Sequence, residues 1–145
     1  MSNYLNSKLY LFKHLIKKGG DIITDRNIPE IQKIKKISIK RNINLSLINN
    51  ELNGIQLISH RFEKEKQILE IKFKKVKYKV KLNLIGKIQV NNILMAIIAA
   101  NKSGIEFKKI LKILPSITPV EGRLEKIGKI RNNSKVILDY AHTPA

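Results

Sequence analysis

Cysteine is absent from this chain of 145 residues. Its absence excludes a disulfide scaffold, a thiolate metal site and a thiol nucleophile, and it fits a reducing compartment. The sequence also lacks an N-terminal signal and an uncharged apolar run of about 18 residues, which a membrane-spanning helix needs. We therefore expect a soluble, cytoplasmic protein without a membrane partner. Apolar residues make up 43% of the chain, enough for one core of ordinary size.

Self-sufficient catalytic motifs are also missing. A phosphate-binding loop needs an upstream glycine and a Lys followed by Ser or Thr, and neither Gly86-Lys87 nor Gly128-Lys129 has that setting. The sequence contains no nucleophile elbow, no paired metal-binding histidines and no zinc-type spacing. The motifs alone therefore predict no complete active site.

Acidic residues are scarce, with 11 Asp and Glu against 29 Lys and Arg and a formal net charge of +18. This excess suggests a polyanionic partner, so a small basic nucleic-acid-binding protein is the alternative function. Lys, Ile and Asn are abundant together, however, as an AT-rich coding sequence produces without selection for binding. Nucleic-acid recognition also favours the bidentate arginine side chain. Only five basic residues are arginines: Arg26, Arg41, Arg61, Arg123 and Arg131.

The spacing of apolar residues predicts an α/β fold. Helices are expected at residues 4–17, 28–34, 90–102 and 106–114. Strands are expected at residues 21–24, 43–48, 54–60, 67–73, 76–84, 124–130 and 135–138, with a turn at 132–133. The helix at 90–102 is apolar nearly all round, so we expect it to be buried. Between Lys72 and Lys81, lysines alternate with apolar residues, which predicts a strand with one solvated face.

The most unusual stretch is Asp139-Tyr140-Ala141-His142-Thr143-Pro144, directly after an apolar strand. Ligands bind at such strand ends in open α/β sheets, because side chains converge there on a crevice. The residues alone somewhat favour the other interpretation, an Asp139 that caps a turn and a solvated His142. Both interpretations stay open at this point.

Four segments together resemble the MurE-type Mur ligases. The string Asp139 to Pro144 resembles the start of that family's C-terminal domain. Residues 119–125 (PVEGRLE) resemble its proline, glycine-arginine and acid segment. Residues 84–96 (LIGKIQVNNILMA) resemble its glycine followed by an Asn-initiated helix, and residues 3–12 resemble the helix with its carbamylated lysine. All four occur in the family's order, from the first residues of the chain to the last.

The resemblance implies roles for individual residues. Lys8 matches the family's N6-carboxylysine, whose carbamate is an anionic oxygen ligand suited to Mg²⁺. Asn92 matches the asparagine that binds the adenine of ATP. The family usually has a second asparagine where this chain has Gln89, whose amide is one methylene further out. Arg123 matches an ATP-contacting arginine, and Asp139 matches the carboxylate on the ribose hydroxyls.

His142 is implied to lie near the phosphates of ATP. The cofactors implied are therefore ATP and Mg²⁺.

The resemblance also implies a domain division and an activity. Residues 1–120 would form the second half of the central ATPase domain, a mixed sheet with flanking helices. Residues 121–145 would hold the first strand of a C-terminal Rossmann-like domain. The family activates the D-Glu carboxylate of UDP-MurNAc-L-Ala-D-Glu as an acyl phosphate and adds meso-diaminopimelate or L-lysine, for peptidoglycan synthesis.

The family's UDP-binding domain, phosphate loop and metal-holding Glu and His precede the part that Lys8 matches, and the sequence contains none of them. We therefore expect an inactive fragment of a ligase that is monomeric at full length and binds no specific nucleic acid.

Overall fold

The computed structural model describes residues 2–49, 54–63 and 66–140 of the chain. This part contains three small β-sheets and four α-helices. The α-helices are α1 (Ser2–Tyr10), α2 (Ile31–Arg41), α3 (Lys87–Lys102) and α4 (Phe107–Ile113). The strands are β1 (Asp21–Asp25), β2 (Asn44–Ile48), β3 (Gln56–Glu63), β4 (Lys66–Phe73), β5 (Val76–Leu82), β6 (Glu125–Lys129) and β7 (Lys135–Leu138). The predicted α/β class is confirmed. Within the described residues no helix is long and apolar enough to cross a membrane.

The first sheet is a parallel pair, in which α2 connects β1 to β2. Helix α2 ends because Asn42 adopts a left-handed conformation (φ 51°, ψ 54°). The N–H groups of Asn42 and Ile43 then bond back to carbonyls of the last helical turn. Asp25 and Ile48 are paired at the ends of the two strands. This shared carboxyl edge is where ligands bind in open α/β sheets.

Helix α2 starts and ends later than the predicted span of residues 28–34, which was therefore wrong at both ends. The Asp25 side chain accepts a hydrogen bond from Asn27 N–H at 3.0 Å, and Ile28 N–H bonds to the Asp25 carbonyl at 3.5 Å. These turns occupy the residues between β1 and the helix, so the helix begins only at Ile31.

The N-terminal helix changes its hydrogen-bond pattern after α1, where a π-helical turn covers Leu11–Leu15. The single α-helix predicted for this segment was therefore wrong in its second half. Ile16 N–H bonds to the Leu11 carbonyl at 3.2 Å, whereas an α-helix would direct it to Phe12. The Phe12 carbonyl instead accepts from Arg41 Nη1 at 3.2 Å. A side chain inserted into the helical ladder accounts for such a distortion.

The second sheet is an antiparallel meander of β3, β4 and β5, which confirms the predicted run of three strands. In β5, Val80 and Leu82 are buried, whereas Lys77, Lys79 and Lys81 are exposed. The alternation of Lys with apolar residues thus belongs to a strand with one solvated face, as predicted. Side chains of the meander share one core with β2, α3 and α4. Its most buried members are Ile48, Ile55, Leu69, Ile71, Leu82, Val90, Leu94 and Ile97.

Helix α3 is buried on one side only, and it begins at Lys87 rather than at the predicted Val90. The expectation of burial nearly all round was wrong, because Asn92, Ala96 and Ala99 are exposed. Its buried side chains are Val90, Ile93, Leu94, Ile97 and Ile98. The exposed side of the first turns is therefore available to form one wall of a pocket.

The third sheet is the antiparallel hairpin of β6 and β7. A short 3₁₀ turn at Arg131–Asn133 joins the strands, with Asn132 at φ 62°. The predicted turn is confirmed. Strand β6 is shorter than predicted, since Leu124 before it adopts φ 48° and leaves the extended conformation.

Candidate functional site

A pocket at the start of α3 gathers most of the predicted site residues. Gly86 precedes this helix with φ 89° and ψ 146°, a conformation that residues with a Cβ disfavour. A Cβ at Gly86 would lie 2.5 Å from Leu124 Cδ1. Glycine therefore permits the close approach of the helix start to the segment before β6, and the pocket lies between these two segments.

The pocket has a volume of about 430 Å³. Small-molecule sites commonly measure about 300–1,000 Å³, so its size suits part of a nucleotide. Gln89 and Asn92 are three residues apart on α3, and this spacing directs both side chains to the same side of the helix. The lining residues are Ile88, Gln89, Asn92, Val120, Arg123, Leu124 and Asp139. The structure thus brings together Gln89, Asn92, Arg123 and Asp139, whose individual roles stay predictions.

Hydrogen bonds fix the segment that carries Arg123. Arg123 N–H donates to the Val120 carbonyl at 3.0 Å, and Gly122 N–H donates to Glu125 Oε2 at 2.8 Å. Tyr140 N–H donates to the Gly122 carbonyl at 2.8 Å, and Arg123 Nη1 donates to the Tyr140 carbonyl at 3.4 Å. These bonds join the turn before β6 to the residues after β7, so both segments contribute to one wall of the pocket.

The polar side chains of the pocket offer complementary chemistry. Gln89 Nε2 donates to the Arg123 carbonyl at 3.4 Å, which links the two walls. An amide both donates and accepts, a guanidinium only donates and an ionised carboxylate only accepts. Asn92, Arg123 and Asp139 are exposed, so a ligand can reach them. The other lining residues, Ile88, Val120 and Leu124, are apolar. This combination suits a flat heterocycle with polar edges, attached to a group that has hydroxyls.

Lys8 does not line this pocket. It is exposed on α1, where its Nζ lies 4.4 Å from the centre of the Tyr4 ring in a cation–π contact. Within the part of the chain that the structure describes, no group of three or more His, Cys, Asp or Glu residues could hold a metal ion. The described residues thus form no complete metal centre around Lys8. His142 lies outside the described residues.

Sequence reasoning missed the apolar residues that line the pocket. Ile88 and Val120 belong to the segments that the resemblance singled out, but nothing in their residue type distinguishes them from core residues. Both are largely exposed, at 69% and 71%. A large apolar side chain left exposed beside polar site residues is the signal, and it appears only once burial is known.

The fold agrees with what comparisons with known proteins show for this chain. The family model of the Mur ligase middle domain matches residues 1–100. The chain belongs to the Mur ligase family. The resemblance to the Mur ligases that the sequence indicated is thereby confirmed. The comparisons give no support to the nucleic-acid-binding alternative.

Relatives and solved structures extend the match of this Mur ligase chain beyond residue 100. It is 37% identical over 145 residues to UDP-N-acetylmuramoyl-L-alanyl-D-glutamate–2,6-diaminopimelate ligase 2 of Clostridium acetobutylicum, covering 99% of the chain and 28% of that protein. The chain spans 23% to 30% of the length of curated relatives of this kind.

Its fold is similar to MurF from Acinetobacter baumannii, with a TM-score of 0.75 and 18% identity over 90% of the chain and 28% of MurF. A solved FPGS–AMPPCP complex gives a TM-score of 0.71 with 18% identity, over 92% of the chain and 34% of that protein.

Proposed function

We propose that the pocket at the start of α3 binds the adenosine part of ATP. Asn92 and Gln89 would bind the polar edge of adenine, because an amide can match both its amino group and its ring nitrogen. Asp139 would accept hydrogen bonds from the ribose hydroxyls. Arg123 would donate toward the nucleotide from the same wall. The observation that carries this proposal is that all four side chains line one pocket of about 430 Å³.

We further propose that the chain is part of an ATP-dependent ligase that adds a diamino acid, meso-diaminopimelate or L-lysine, to UDP-MurNAc-L-Ala-D-Glu in peptidoglycan synthesis. The name of the Clostridium acetobutylicum relative and the nucleotide analogue in the FPGS complex support this. ATP would supply the phosphoryl group of an acyl phosphate, and His142 would lie near the phosphates. The ligase would act in the cytoplasm as a monomer, with residues 1–120 in its central domain and residues 121–145 in its C-terminal domain.

Lys8 would help to bind Mg²⁺ through a carbamate on its side chain. The donor chemistry fits, because a carbamate oxygen is a hard anionic ligand of the kind Mg²⁺ prefers. The described residues contain no group of three or more His, Cys, Asp or Glu that could hold a metal ion. The other ligands of Mg²⁺ would therefore come from other parts of the ligase. The role of this chain's own residues is to hold the adenosine and to orient Lys8 on α1.

Relative affinity for ATP and GTP tests the proposed adenosine site. A protein with a net charge of +18 binds any triphosphate to some extent. Because ATP and GTP carry the same triphosphate, the ratio of their dissociation constants isolates recognition of the base. We expect a preference for ATP of about tenfold or more, the effect of one or two hydrogen bonds. Asn92→Ala should remove most of that preference and leave the affinity for GTP nearly unchanged.

The matched control is Gln32→Ala, which removes an exposed amide from α2 and away from the pocket. This variant should keep the wild-type ratio. Equal affinities of the wild-type chain for ATP and GTP, or an unchanged ratio in Asn92→Ala, would contradict the proposed site. A higher affinity for single-stranded nucleic acid that falls steeply with salt would instead favour the basic-protein alternative.

A further inference from the structure

Asp25 lies at the carboxyl end of β1 and is bound by three amide donors from three different segments. Its Oδ1 accepts from Asn27 N–H at 3.0 Å and from Asn49 Nδ2 at 3.4 Å. Its Oδ2 accepts from Asn91 Nδ2 at 2.9 Å. Asp25 and Asn91 are both partly buried. Hydrogen bonds to a carboxylate are stronger than those between neutral groups, so this cluster fixes the positions of its members.

The bond from Asn91 connects this cluster to the helix that carries the proposed adenine ligands. Asn91 lies between Gln89 and Asn92 in sequence, within the first turns of α3. At the other end of the helix, Lys102 Nζ pairs with Asp21 Oδ1 at 2.8 Å, at the start of β1. The helical distance from residue 91 to 102 is about 16 Å. The strand distance from residue 21 to 25 is about 13 Å. Helix α3 is thus attached to β1 near both ends and runs antiparallel to it.

We propose that Asp25 is a positioning residue for the adenosine pocket and acts through Asn91. The inference rests on the proposed function, since it assigns the cluster to that same site. A helical side chain extends about 5–6 Å from the helix axis. A rotation of α3 by about 30° would therefore move the Gln89 and Asn92 amides by about 3 Å, which is enough to break a hydrogen bond. The Asp25–Asn91 bond fixes this rotation at the end of the helix where the pocket lies.

The apolar side of α3 does not depend on this bond. Val90, Leu94 and Ile97 are at most 2% exposed in the main core, so they hold the helix to the sheet. Loss of the Asn91 side chain should therefore leave the fold intact but loosen the orientation of the first turns. The expected signature is a change in nucleotide selectivity that is larger than any change in stability.

A double-mutant cycle on the chain tests the proposal, with the ratio of dissociation constants for ATP and GTP as the readout. Asp25→Ala and Asn91→Ala should each lower the preference for ATP by about fivefold to tenfold, the effect of part of one charged hydrogen bond. The double variant should lose no more than either single variant, because both act through one bond. Lys102→Ala is the matched control, since it removes the other attachment of the same helix and should change the ratio less than about twofold.

Amide hydrogen exchange of residues 90–94, whose N–H groups have acceptors within α3, provides a second readout that does not require nucleotide. Exchange there should become faster in Asn91→Ala and stay unchanged in Lys102→Ala. The proposal would be overturned if the losses of Asp25→Ala and Asn91→Ala were additive in the double variant. The same exchange and the same preference for ATP in Asn91→Ala and Lys102→Ala would also overturn it. If the wild-type chain shows no preference for ATP, the adenosine site itself is wrong. The exchange experiment then decides alone whether Asp25 positions the helix start.

Discussion

Replacing Gly122 by alanine should weaken both the fold and the pocket, because two separate costs meet at this residue. Gly122 is buried and has φ 68°, a left-handed conformation that costs a residue with a Cβ about 1–2 kcal/mol. The new Cβ would also overlap the ring of Tyr140. Tyr140 directly follows Asp139, so displacement of the ring would disturb the wall that carries the proposed ribose ligand.

The size of the effect follows from the exposure of Tyr140. The residue is 54% exposed, so its ring can turn into solvent, but it then loses the contacts of its buried part. A tyrosine of which about half is buried would lose on the order of 100 Å² of buried surface, worth about 1–2 kcal/mol because part of that surface is polar. Gly122→Ala should therefore cost about 2–4 kcal/mol in total. Gly104→Ala is the matched control, because Gly104 has φ 93° with nothing within 4 Å of a Cβ. It should cost only about 1–2 kcal/mol.

Urea unfolding followed by circular dichroism measures the two free energies of unfolding. The relative affinity for ATP and GTP then reports on the pocket. We expect Gly122→Ala to unfold at a lower urea concentration than Gly104→Ala, and to lose preference for ATP that Gly104→Ala retains. If both variants unfold at the same urea concentration and show the same preference for ATP, the contact between Gly122 and Tyr140 does not support the pocket, and the reasoning is refuted.

Further predictions concern the core, the metal ligand and activity. Leu94→Ala should cost about 2–5 kcal/mol in urea unfolding, since Leu94 is fully buried, whereas Ile39→Ala, at an 81% exposed position, should stay within about 0.5 kcal/mol of wild type. In a full-length ligase containing this chain, Lys8→Ala should abolish turnover, keep binding of the UDP substrate, and recover partly with bicarbonate; near wild-type turnover would contradict the carbamate. The 145-residue chain alone should release no phosphate from ATP in response to UDP-MurNAc-L-Ala-D-Glu, and release would show that it holds a phosphoryl-transfer site.

The sequence predicted most helices and strands because their signals are local. The alternation of lysines with apolar residues in β5 needed no knowledge of distant residues. The π-helical turn could not be predicted, since it depends on Arg41 reaching the Phe12 carbonyl across 29 residues. The later start of α2 depends on turns formed by Asp25, whereas the turn-forming residues Asp25, Asn27 and Pro29 predict from sequence a helix that starts directly at Ile28.

Some residues of the candidate site could likewise be predicted from the sequence, and others could not. The resemblance to the Mur ligases singled out the polar residues Gln89, Asn92, Arg123 and Asp139, which the fold brings into one pocket. Composition and periodicity could not have selected them, because the chain has many exposed polar residues. The bond between Asp25 and Asn91 joins residues 66 positions apart, so no local pattern pointed to it.

Two-dimensional amide NMR of the chain during titration with ATP, and separately with GTP, tests the adenosine site most directly. We expect ATP to shift the side-chain amide signals of Gln89 and Asn92 and the backbone amides of Arg123 and Asp139, with one common saturation curve. Both nucleotides should shift signals of the exposed lysines of β5, since those shifts report only the triphosphate charge. Identical shifts with ATP and GTP, confined to the lysines and absent from the four pocket residues, would contradict the proposal that this pocket binds adenosine.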